Sequence, residues 1–147
     1  MTVTARAFLA AAGFGADIEM RHLALAIIAT LILPTVALSD PAGECGGGSQ
    51  VEIADCVALQ EDAAEQSMQT ILGFARALAT ELDEITERSV ALPALEAAQQ
   101  AWETYRAAQC DFVGSTYGGG SGTGIAIRSC RIELTRAREA ELRGAIR

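Results

Sequence analysis

The stretch "AAQQAWETYRAAQC", residues 97–110, settles the fold class. It holds the chain's only Trp, one of its two Tyr and one of its four Cys. Trp102 and Tyr105 stand one helical turn apart, among alanines and with no Gly or Pro between them. Leu95 and Ala98 before them and Phe112 after them extend the same line, which predicts a helix over about 94–113. Pro93 stops what precedes and can sit in the first turn of this helix. In an alanine-rich domain Trp102 and Tyr105 are the natural source of core bulk. The sharper reading, a carbohydrate-stacking pair, requires both to be exposed.

Upstream, Ser49 and Glu52 have capping-box spacing, so a helix is expected to start near Gln50. Its apolar line runs through Ile53, Val57, Met68, Ile71, Leu72, Ala75, Leu78, Leu82 and Ile85, in steps of three and four past a polar middle, "QEDAAEQ". Gly73 inside it reads as a place for another backbone to approach. Downstream, a third helix over about 126–144 has Ile127, Cys130, Leu134, Ala137 and Leu142 facing inward and Arg131, Arg138, Glu139 and Arg143 facing out. Short connections join them, so the expected fold is all-α, an antiparallel three-helix bundle. Between the second and third helices lies "GSTYGGGSGTG", residues 114–124.

The N-terminal residues divide differently. Residues 20–39, "MRHLALAIIATLILPTVALS", have a short positive start, an apolar run from Leu23 to Val36 and a small-x-small end at Ala37-Leu38-Ser39. That is a signal-peptide pattern, and the run of about 14 residues is short for a transmembrane span of roughly 20. Residues 1–19 read as a mis-assigned start, with translation beginning at Met20, or as a disordered extension. The domain is then 40–147, exported to the periplasm or secreted. Glu44 before Cys45 argues against a lipid anchor there.

Residues 40–147 carry 17 Asp and Glu against 9 Arg, a balance of −8 and the same as the whole chain. Nucleic acid is an unsuitable partner for such a surface, and a basic protein a suitable one. All four cysteines, Cys45, Cys56, Cys110 and Cys130, follow the leader and read as two disulfides. Three connectivities are open; Cys110–Cys130, which closes the glycine loop, with Cys45–Cys56 is the favoured one. No C-x2-C spacing suggests zinc, and no cofactor is implied. The glycine loop lacks the Lys and the preceding strand of a phosphate loop. The single His lies in the leader. The carboxylate pairs Glu61/Asp62 and Asp83/Glu84 read as solvated helix faces, so no enzyme is expected. Arg106 is placed to pair with Glu103, Gln109 or a carboxylate of the first helix such as Glu65. The candidate binding residues are those of the loop, Ser115, Thr116, Tyr117 and Ser121, the small polar and aromatic types that adaptable recognition loops use.

These residues also resemble a known family. Ala98-Gln99, Trp102, Tyr105-Arg106, Cys110, Gly120-Ser121, Cys130, Leu134-Thr135, Arg138 and Leu142 are similar to the signature of the LprI-type lysozyme inhibitors of bacterial envelopes. Cys45, Cys56 and Ala64-Glu65-x-x-Met68-Gln69 echo its upstream half more weakly, with Glu65 for Asp and Gln69 for Asn; Ala107 replaces an acid that often follows the Arg. The resemblance implies a small cysteine-bridged helical domain that binds lysozyme or another basic envelope-active protein and acts by occlusion. The competing reading is a non-enzymatic envelope interaction or stress module.

Overall fold

The computed structural model of the chain describes residues 40–146. The leader and the readings of residues 1–19 fall outside the described residues. Within them the protein is all-helical, with four helices and no strand. These are α1 (Pro41–Glu44), α2 (Gln50–Thr86), α3 (Ala91–Ser115) and α4 (Thr123–Ala145).

Each start and stop has a local cause. Asp40 caps α1, its carboxylate accepting from the Ala42 N–H at 3.2 Å. At α2 the Ser49 hydroxyl accepts from the Glu52 N–H at 3.3 Å, and the Glu52 carboxylate accepts from the Ser49 N–H at 2.8 Å. This reciprocal cap satisfies two otherwise orphaned donors. α2 stops at Glu87, which turns into the left-handed region at φ 52°. α3 has no capping side chain of its own at Val90. Asp83, in the last turn of α2, supplies one. Its Oδ1 accepts from the N–H groups of Val90 at 3.0 Å and Ala91 at 2.8 Å, and its Oδ2 from Leu92 at 3.0 Å.

Asp83 is thus a cap across a turn and not one of a solvated carboxylate pair. The N–H bonds from Ala91 and Leu92, with help from Val90 and the Arg88 charge, hold its carboxyl below the ordinary value against some desolvation. A carboxyl whose pKa is lower folded than unfolded stabilises the fold above the unfolded pKa and loses that contribution as pH falls through the folded one. Asp83→Ala is therefore expected to lower the melting temperature at neutral pH. The gap to the parent is expected to close as the pH drops below the ordinary value of 3.8, which melts taken across the acid range will read.

The core forms two clusters. Met68, Leu72 and Ala75 of α2 pack with Leu142 of α4, flanked by Ile71, Leu95, Trp102 and Ile146. Val57 and Ala64 of α2 pack with Ile132 of α4, flanked by Ala42, Cys45, Ile53 and Ile125. α4 contacts both α2 and α3, and its buried arc is correspondingly wide: Ala126, Ser129, Cys130, Ile132, Thr135 and Leu142.

Several sequence expectations are corrected here. Leu78, Leu82 and Ile85 are exposed at 44%, 50% and 73%. α2 has 37 residues and α4 only 23, a difference of roughly 20 Å at 1.5 Å per residue. Past Ala75 α4 has ended, and that flank of α2 has no cover. In α3 the inward line is Gln99, Cys110 and Gly114, all buried, with Arg106 half-buried between them. That register turns Tyr105 and Phe112 outward, 54% and 63% exposed, and leaves Trp102 half-buried. In α4, Ala137 is exposed and Leu134 and Ile127 half-buried, while the Arg138 side chain, expected outside, is only 13% exposed. Gly73 faces open space, with nothing within 4 Å of where a Cβ would stand. The glycine that does permit a close approach is Gly114: a Cβ there would lie 2.5 Å from Ile127 Cγ1.

Candidate functional site

Two disulfides gather the cysteines at one end. Cys45 is bonded to Cys56, joining the chain before α2 to its second turn, and Cys110 is bonded to Cys130, joining the end of α3 to the start of α4. No thiol is free among the described residues. The Cys110–Cys130 bond closes the base of the glycine loop.

The loop is built by local hydrogen bonds. The Ser115 hydroxyl donates to the Phe112 carbonyl at 2.6 Å and the Thr116 hydroxyl to the Val113 carbonyl at 2.7 Å, so both satisfy the last carbonyls of α3. Gly118 and Gly119 carry the reversal at φ 62° and 78°, which side chains rarely adopt. Tyr117 then folds back, its ring within 3.6 Å of where a Gly122 Cβ would stand, yet it stays 54% exposed. Ser121 is exposed at the tip. Of the four loop residues, Tyr117 and Ser121 present themselves outward, while the hydroxyl protons of Ser115 and Thr116 are spent on the loop itself.

Beside the loop runs a groove of about 510 Å³. Tyr105 of α3, Tyr117 of the loop, Val113, Ile125 and Leu134 give it apolar walls, and Asp40, Gln109, Ser129 and Glu133 add polar groups. Tyr105 is the residue sequence reasoning misplaced. Its helical spacing from Trp102 suggested a shared buried face; the cue to the contrary was Arg106 next to it, whose inward role rotates Tyr105 out. The Glu133 carboxyl lies above its ordinary value because of partial desolvation and the nearby Asp40 charge, with Arg136 opposing.

The other signature residues do a different job. Arg106 donates to Glu65 Oε2 at 2.6 Å and to the Thr135 hydroxyl at 2.8 Å, and its guanidinium lies 4.7 Å from the Trp102 ring centroid. The carboxylate, the guanidinium and the hydroxyl come from α2, α3 and α4 in turn. Desolvation pushes the Glu65 carboxyl up, but the hydrogen bonds from Arg106 and Gln69 and the Arg106 charge outweigh it, and it titrates below the ordinary range. Arg138 Nε donates to Gln99 Oε1 at 3.2 Å, and Gln99 Nε2 donates to Glu103 Oε1 at 3.0 Å. These residues form a polar layer between the two apolar clusters and tie the helices in register. Glu61, of the other carboxylate pair, is taken by Arg128 at 2.5 Å and Arg131 at 3.5 Å. No helix among the described residues is long and apolar enough to cross a membrane.

Comparison with known proteins bears on the whole of this arrangement. A family model described as Lysozyme inhibitor LprI matches residues 43–142. An uncharacterised protein of Rhizobium meliloti (strain 1021) is 47% identical over 53 residues, 36% of this chain and 38% of that protein. The chain therefore matches well under half the length of that relative. No solved structure matches.

Proposed function

The chain belongs to the lysozyme inhibitor LprI family, and from that membership we propose that it is an exported inhibitor that binds a basic glycan hydrolase of the lysozyme type and blocks its cleft. The observation that carries this reading is the groove at the stapled end, with Tyr105 and Tyr117 both half out of the surface beside it. Exposed tyrosines on a rigid base are effective interface anchors, since little ordering is lost on binding. The scaffold behind them is read as an antiparallel three-helix bundle, released from its leader near Ser39/Asp40. The family and the two disulfides both suit an extracytoplasmic setting. Cys45, engaged with Cys56, has no thiol to offer a lipid. The balance of −8 over the chain favours encounter with a basic partner.

The test is clearing of a cell-wall suspension by lysozyme, with and without the exported chain. The parent is expected to slow clearing. A variant carrying Tyr105→Ala and Tyr117→Ala is expected to bind more weakly by about 1–3 kcal/mol while melting like the parent, since neither ring is buried. Raising salt is expected to slow association more than it speeds dissociation. If the double variant inhibits as well as the parent, the contact surface lies elsewhere on the molecule.

A further inference from the structure

The groove holds polar groups that the reading of the two tyrosines as anchors does not use. Ser129 lines it and is only 8% exposed, yet its hydroxyl has no hydrogen-bond partner among the described residues. A hydroxyl removed from water and left unpaired carries a desolvation cost and calls for an explanation. Glu133, one turn further along α4, lines the same groove and forms no ion pair or hydrogen bond among the described residues. The cation best placed to serve it, Arg136, is engaged by Glu44 through two bonds of 2.9 and 3.0 Å. Asp40 adds a second negative charge to the same wall. Finally, Tyr105 and Tyr117, the chain's two tyrosines, both contribute to the groove.

We propose that this groove is a receptor for an arginine side chain of the protein partner, whose guanidinium lies against the tyrosine rings, pairs with Glu133 and donates to Ser129 Oγ. The inference rests on the inhibitor reading for the partner's identity, and its chemistry stands on the groove alone. A carboxylate whose nearby cation, Arg136, is bonded to Glu44, in walls with tyrosine and aliphatic groups, is complementary to a cation with a flat, weakly hydrated face. Guanidinium fits better than ammonium. It stacks on aromatic rings, and its fork of five N–H donors serves a carboxylate and a hydroxyl together. The raised Glu133 carboxyl is consistent with this, because an arriving cation offsets the cost of its desolvation and its repulsion from Asp40. The volume of about 510 Å³ leaves ample room for one long side chain.

Because the chain has only two tyrosines and both line the groove, incorporation of 3-fluorotyrosine gives two fluorine signals that both report on it. The exported chain is titrated with arginine amide, and with citrulline amide as the uncharged control of the same shape. Both signals are expected to move saturably with arginine amide and not with citrulline amide. Glu133→Gln is expected to weaken that binding about tenfold or more, since the guanidinium keeps its charge but loses the opposite charge it paired with. Ser129→Ala removes only an unpaired hydroxyl, so it is expected to melt no lower than the parent while still binding arginine amide less tightly. Tyrosine signals that respond equally to both amides, or a Glu133→Gln variant that binds like the parent, overturn the proposal. Lysozyme clearing separates the two ideas. A chain that binds arginine amide without inhibiting lysozyme keeps the receptor and loses the inhibitor reading. A chain that inhibits lysozyme while arginine amide moves neither signal does the reverse.

Discussion

Met68→Ala is expected to destabilise the protein by about 2–5 kcal/mol, the range for truncating a large apolar side chain inside a packed core. Met68 is fully buried, at 0% exposure, and sits with Leu72, Ala75 and Leu142 where α2 meets α4. Its sulfur also lies 3.9 Å from the Gln99 amide nitrogen, so the cavity would open beside the polar layer. The domain is small, and such a loss is a large part of the total stability of about 5–15 kcal/mol that natural domains possess. Leu82→Ala is the control. It lies on the same predicted apolar line but is 50% exposed, and a surface truncation of this kind stays within about 0.5 kcal/mol. Denaturant unfolding of the two variants reads the difference directly. Equal losses would mean that α4 reaches further along α2 than the structure has it.

The second large effect belongs to the bond between Cys110 and Cys130. Replacing both with Ala is expected to cost about 3 kcal/mol, the scale for a closed loop spanning a sequence separation of 20. Both positions are buried, and Ala adds no unpaired polar group there. Stability is only half of the expectation. The bond holds the base of the loop that presents Tyr117, so the variant is expected to lose inhibitory affinity even at temperatures where it is folded, because binding must then order the loop. Replacing Cys45 and Cys56 together is expected to lower the melting temperature while leaving the glycine loop closed. Melting curves and clearing assays on the two pairs separate the roles.

The helices were legible because their signals are local. Ser49 and Glu52 announce the start of α2, Pro93 and the glycine run mark the breaks, and the first- and second-half cysteines pair as their positions suggested. What was not legible was rotation. Trp102, Tyr105 and Phe112 look like a face because they are apolar, but Arg106 and Gln99 win the inward positions by meeting Glu65, Thr135 and Arg138 from other helices. No periodicity rule ranks a buried network above an aromatic ring, since the network exists only once partners far apart in sequence have met. The same holds for Asp83, whose role as a cap depends on the turn that follows it. The loop was found from composition alone, but the groove was not, since Tyr105 and Glu133 join it only through the fold.

The uneven lengths of α2 and α4 have a consequence for how the protein comes apart. One end is closed by two covalent bonds; at the other, α2 runs on past Ala75 with Leu78, Leu82 and Ile85 in water. Amide hydrogen exchange is expected to be slowest around Val57 to Leu72 and to quicken steadily toward Thr86, since regions with few buried contacts open at lower free energy. Proteolysis is expected to begin along that uncovered end of α2. A cut there leaves each disulfide inside its own piece, so the groove, which is lined from both pieces, is then held together by packing alone.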